Sequence, residues 1–168
     1  MRKRIIAALG AVSAIALFAT ACSTDNTGNG GTKVEKSSSS KKSEVKYYKL
    51  GETVKVGDVE YTLKSVEKTD ERNEFEDSKP ANVIKVVYHV KNDGKEDLPI
   101  GTDLDAYGPE NNKLKSYPIS NTTVDSIAPG KESDVTTGFG TDKLGDFELQ
   151  FRPLASFDKS AKFKVNVQ

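Results

Sequence analysis

From Tyr47 onward, apolar residues recur at every second position, and no window carries the 3.6-residue period of a helix. A chain with that pattern must build strands, and each strand must bury one face against another layer. Val83 to Val90 is the strongest run: Ile84, Val86, Tyr88 and Val90 share the face assigned to the core, while Val83, Lys85, Val87 and His89 share the other. Glu52 to Val56 reads as a short strand, followed by a Gly57-Asp58 turn and by the alternating Val59, Tyr61 and Leu63. Ser65-Val66 breaks that alternation and predicts a bulge. Asp103 to Tyr107 is a shorter strand. Val135, Thr137 and Phe139 alternate in the same way, as do Phe147, Leu149 and Phe151, and Phe163, Val165 and Val167. Turns are predicted at Asn92-Asp93-Gly94, with φ > 0 residues, at Gly108 to Asn112, and at Ile127-Ala128-Pro129-Gly130. Asn121-Thr122-Thr123 is formally a glycosylation sequon and reads as a turn. About seven short strands between such turns indicate an all-β fold, an antiparallel β-sandwich spanning 47–168.

That sandwich must hold by packing alone. The chain has one cysteine, Cys22, so no intrachain disulfide is possible. A domain of ~120 residues buries about two thirds of its unfolded surface, which suffices. Residues 47–168 carry 17 basic and 22 acidic side chains. An acidic body argues against nucleic acid, whose phosphates need a basic face.

The beginning of the chain has a different composition. Arg2, Lys3 and Arg4 precede an uncharged, mostly apolar stretch from Ile5 to Phe18. It is shorter than the ~20 residues of a transmembrane helix and fits a secretory signal. Ala19-Thr20-Ala21-Cys22 resembles the lipobox of bacterial lipoproteins, with Ala19 where Leu is commonest. The resemblance implies a signal peptide over 1–21 and a diacylglycerol thioether on Cys22. Two acyl chains, at about 0.8 kcal/mol per buried CH₂, hold a protein on a membrane where one is marginal. The competing reading, an ordinary signal peptide cut nearby, leaves a lone thiol in an oxidising compartment. Residues 22–46 then form a polar, Ser- and Gly-rich linker that cannot bury apolar area and is expected to be disordered. Its r.m.s. span is about 27 Å and its full stretch ~80 Å. The expectation is a domain held above the membrane on the extracytoplasmic face, without docking on lipid.

Four pieces of the folded part together resemble an immunoglobulin-like domain-of-unknown-function family common in lipoproteins of Gram-positive bacteria. They are Leu50 to Gly57 with Tyr61-Thr62-Leu63, Val86 to Asn92, Ala128 to Glu132, and Phe147 to Pro153. Their order and spacing carry the resemblance, which covers roughly Leu50 to Val167. It implies a sandwich similar in fold to secreted immunogenic proteins of mycobacteria, and no established chemistry. The Cys…Trp…Cys signature of antibody-type domains is missing, since the chain has no Trp.

Candidate chemistry is sparse. His89 is the only histidine, so a Ser-His-Asp hydrolase would have to use it. Alternation points it away from the core, and no G-x-S-x-G elbow exists. Zinc lacks His and Cys ligands, and no cofactor is expected. Asp103 and Asp105, two apart on one strand, are expected on one face. A glycosidase could use such a pair, but the Trp that stacks on sugars is missing. Asp70, Glu71, Glu74, Glu76 and Asp77 cluster around Phe75 between the second and third strands. This run reads first as a solvated acidic loop. A partner contact through Phe75 and its charges is the functional alternative, and calcium the third, though the spacing matches no EF-hand.

The expectation is therefore a lipid-anchored surface module that is no enzyme. It contacts a protein or wall polymer through the loop from Lys68 to Ala81. A cation- or small-ligand-binding lipoprotein, serving as sensor or buffer, is the alternative.

Overall fold

The computed structural model describes residues 45–168. The leader, Cys22 and nearly all of the linker lie outside the described residues. Within them the chain forms ten strands and no helix: β1 Thr53–Val56, β2 Val59–Thr69, β3 Asn82–Asn92, β4 Leu98–Ile100, β5 Leu104–Tyr107, β6 Lys115–Ser116, β7 Asp125–Ile127, β8 Glu132–Thr141, β9 Gly145–Phe151 and β10 Ala161–Val167. The seven strands of four residues or more correspond to the seven read from alternation. β4, β6 and β7, of two or three residues, are too short to show a period.

Strand pairing is antiparallel throughout. One sheet runs β1-β2-β3-β8-β6, a second β10-β9-β5, and β4 pairs with β7 in a small third ladder. The sheets form a β-sandwich around one principal core. Tyr61, Tyr88, Phe151 and Phe163 cross it, with centroids 5.2 Å apart for Tyr61–Phe151, 4.9 Å for Tyr88–Phe151 and 5.4 Å for Phe151–Phe163. Burying each such ring contributes about 1.5–3 kcal/mol. The expected bulge lies between Leu63 and Ser65, after which β2 resumes its pairing through to Thr69. The Ala128–Lys131 turn places Gly130 at φ 71°, with the Lys131 N–H donating to the Ala128 carbonyl at 3.1 Å. Asn111 and Asn121 sit at positive φ in two more of the expected turns.

Three expectations are corrected. Val83 does not face solvent: it is fully buried in a second small cluster with Tyr117 and Ile119. The segment after β6 crosses the outer face of the larger sheet there, and Gly138 makes room for it. A Cβ at position 138 would stand 2.5 Å from the Tyr117 carbonyl oxygen. Second, Asn92-Asp93-Gly94 is no φ > 0 hairpin turn, because β3 leads into β4 in another ladder. Asn92 is a buried staple instead: Nδ2 donates to the Glu96 and Ile127 carbonyls, each at 2.8 Å, and Oδ1 accepts from the Gly94 N–H at 2.9 Å. Third, Asp103 precedes β5, and the alternation of that strand does not reach it.

The pairing registers define two ends. At the root end the described chain enters: the Tyr48 N–H donates to the Lys162 carbonyl at the start of β10, opposite the end of β9. The β9–β10 loop, residues 152–160, lies at this end, with Asp158 close to Gly57 in the β1–β2 turn. At the crown end lie residues 70–81, which join β2 to β3, and residues 142–144, which join β8 to β9.

Candidate functional site

The acidic run occupies the crown, and its backbone is braced. The Ser120 N–H donates to Glu71 Oε2 at 2.8 Å, and Lys85 Nζ stands 3.8 Å from Glu71 Oε1. Those contacts hold the Glu71 carboxyl below its ordinary pKa, the Ser120 amide chiefly, with Lys85 adding to it. Arg72 Nη1 donates to the Thr69 and Glu71 carbonyls at 3.0 and 2.8 Å. Tyr117 Oη accepts from the Asn73 N–H at 2.9 Å. Asn73 Oδ1 in turn accepts from the Phe75 N–H at 3.0 Å, closing a local turn.

The result is a fixed loop with an apolar tip. Phe75 is 89% exposed. Asp70, Glu74 and Asp77 are exposed and Glu76 is half-buried. Phe75 and Glu74 border a recess of about 420 Å³, whose other wall is Pro118, Ile119 and Ser120. The six residues named from the sequence thus divide. Glu71 both braces the loop and lines the recess, together with Glu74 and Phe75, while Asp70, Glu76 and Asp77 lie outside its lining. The sequence reading missed the second wall, because Tyr117–Ser120 lies more than forty residues further along the chain.

Among the described residues, no three His, Cys, Asp or Glu side chains converge on a point where a metal could sit. His89 is partly covered on the outer face of the larger sheet, as its alternation implied. Its Nδ1 is 2.8 Å from Asp134 Oδ1, and Lys64 Nζ reaches the same carboxylate at 2.7 Å. Lys64 and then His89 hold the Asp134 carboxyl below its ordinary value.

Asp103 and Asp105 do not form a pair of exposed carboxylates. Asp105 is partly exposed and ion-paired with Lys113 at 2.6 Å. Asp103 is buried: its Oδ1 accepts from Tyr88 Oη at 2.6 Å and from the Gly101 N–H at 3.0 Å. Burial pushes its pKa above the ordinary carboxylate value despite these donors. Burial, and then the neighbouring carboxyl, push the Tyr61 and Tyr88 phenols upward. Tyr61 Oη and Asp103 Oδ2 are both buried without a hydrogen-bond partner among the described residues. A protonated or amide side chain at 103 has a donor to offer there, which a carboxylate lacks.

Solved structures of similar shape carry no catalytic assignment to this chain. One is described as a "putative lipoprotein (ycdA)" of Bacillus subtilis subsp. subtilis str. 168, 26% identical, with a TM-score of 0.56. The match covers 67% of this chain and 38% of that one, so this chain spans well under half of that protein. The yjhA protein of Bacillus subtilis matches at 15% identity and TM-score 0.54, over 72% of this chain and 99% of that one. The secreted protein MPT63 of Mycobacterium tuberculosis matches at 8% identity and TM-score 0.54, over the same two shares, and like yjhA it shows the fold alone. No curated protein matches. Residues 48–162 match the family described as "Domain of unknown function (DUF4352)", and the chain belongs to that family.

Proposed function

We propose that this chain is a lipid-anchored, extracytoplasmic binding module that works without catalysis and holds a protein or wall-polymer partner at its crown. The observation that carries the reading is the braced presentation of Phe75. An exposed aromatic costs a soluble protein solubility, and here the chain fixes the surrounding loop rather than letting the ring fold away. An aromatic side chain has few rotatable bonds, and on a braced backbone it loses little entropy on binding, which favours contact through it. Glu74 and the partly covered Glu76 flank the ring and would select a basic or hydroxyl-rich partner surface. The recess beside Phe75 gives such a partner a wall to pack against. The lipobox resemblance at Cys22 and the likeness to ycdA support the anchor.

The test is recovery of partners from intact cells with a Phe75→Ala, Glu74→Ala, Glu76→Ala variant. Loss of the recovered partner is expected, with the fold intact by circular dichroism. Unchanged recovery removes the loop from consideration. The anchor is tested separately, by mass spectrometry of the mature N-terminus.

A further inference from the structure

At the root end a second loop carries protruding apolar side chains, in opposite electrostatic surroundings. Arg152-Pro153-Leu154-Ala155-Ser156-Phe157-Asp158-Lys159 joins β9 to β10. Phe157 is fully exposed and Leu154 is 66% exposed. The loop overhangs a groove of about 660 Å³. Four cations line that groove, Lys46, Arg152, Lys159 and Lys162, against one lining carboxylate, Asp158. Lys162 is held by Glu148 at 3.0 Å, and Asp158 accepts from Ser156 Oγ at 2.9 Å. Arg152 and Lys159 make no ion pair among the described residues. This is a basic spot on a body that is acidic as a whole.

We infer that the Leu154–Phe157 loop and its cations dock on the surface of an anionic bilayer. Apolar tips flanked by Lys and Arg are the composition that settles at a lipid interface: the rings enter the headgroup region and the cations meet anionic headgroups. The position of the loop argues for lipid over other occupants. The described residues begin at Val45, which itself lines the groove. A membrane attachment anywhere in the 44 preceding residues would present the bilayer to the loop at high effective concentration, making a weak contact populated. The inference replaces the expectation of a domain standing clear of lipid, and it directs the crown outward.

The chain has no tryptophan, so Phe157→Trp places a single fluorescent reporter at the loop tip. The full-length variant is reconstituted in vesicles of equal parts phosphatidylglycerol and phosphatidylcholine, with brominated acyl chains as quencher. Emission is expected to shift to the blue and to be quenched. Both effects are lost in pure phosphatidylcholine, on adding Arg152→Glu with Lys159→Glu, and at about 1 M salt, where the Debye length is about 3 Å. Unquenched emission in the mixed vesicles overturns the inference, as does equal quenching in pure phosphatidylcholine. A shift produced by inorganic polyphosphate but not by vesicles also overturns it, and would assign the groove to a soluble polyanion.

Discussion

Two loops of this domain each push a phenylalanine into solvent, and they differ in everything around it. At the crown, Phe75 sits among carboxylates on a loop braced by Glu71, Arg72 and Tyr117. At the root, Phe157 sits among lysines and an arginine, and its loop is held by local bonds of Ser156 and Asp158. One chain has thus separated two kinds of surface to opposite ends of a sandwich about one strand long. Opposite charge at the two ends orients the domain: the basic end is drawn to an anionic bilayer, and the acidic end is repelled from it. Loops at the ends of a rigid sandwich are where such folds can vary chemistry without disturbing the core.

The comparison is broken most severely by removing the crown's brace. Tyr117 is almost fully buried between Val83 and the acidic loop. Tyr117→Ala should cost about 3–5 kcal/mol in chemical denaturation. Tyr117→Phe keeps the packing and loses the hydrogen bond to Asn73, for about 0.5–1.5 kcal/mol. If both variants cost the same, the hydroxyl rather than the packing holds the loop, and the account of the crown is wrong.

The next largest effect distinguishes the buried carboxyl from those on the surface. Asp103→Ala leaves Tyr88 Oη and the Gly101 N–H without their acceptor and should cost about 1–3 kcal/mol. Asp103→Asn behaves differently. Its oxygen keeps both donors, and its Nδ2 can donate towards Tyr61 Oη, which now has no partner. Because folding raises the pKa of Asp103, its contribution is present in full below the unfolded value and is lost as pH rises through the folded one. The Asn variant should therefore gain stability over the parent as pH climbs from acid to neutral, with no gap in strong acid. Surface carboxylates run the opposite way. Lys55 and Lys91 hold Asp93 down at about 2, so its contribution is present above the unfolded pKa and fades as pH falls through the folded one. Denaturation curves across pH separate the two signs. A parent and an Asn variant with parallel profiles would show that Asp103 is not held in its neutral form.

The smallest effect should be local. Glu71→Ala removes the acceptor of the Ser120 N–H and the partner of Lys85 while leaving the core untouched. Amide exchange should quicken at Ser120 and through 71–76, with the melting temperature little changed. No change in exchange would mean that Arg72 and Tyr117 brace the loop without it.

Much of this architecture is legible in the residues. Alternation marks all seven longer strands, and the break at Ser65-Val66 marks the bulge, because period two and its interruption are local properties of the chain. What escapes is set by partners remote in sequence. Val83 reads as outward-facing, since nothing near it announces that Tyr117 and Ile119 will cover it. Asp103 reads as a strand residue sharing a face with Asp105, because two-residue spacing is all that the local sequence shows. Only the fold brings Tyr88 and Tyr61 to it, fifteen and forty-two residues back. Asn92 and Gly94 have the composition of a tight turn, yet the amide is spent on the carbonyls of Glu96 and Ile127. The acidic cluster around Phe75 was visible. Its division into a brace and an exposed tip was not, for want of Ser120 and Tyr117 as neighbours.

A photo-crosslinking residue placed at 75, and separately at 157, in living cells would test the two-ended reading most directly. The account predicts that position 75 yields adducts with a protein or wall polymer and none with lipid, while position 157 yields adducts with phospholipid. Identical adducts at the two positions, or none at position 75 in cells that display the protein, would contradict it.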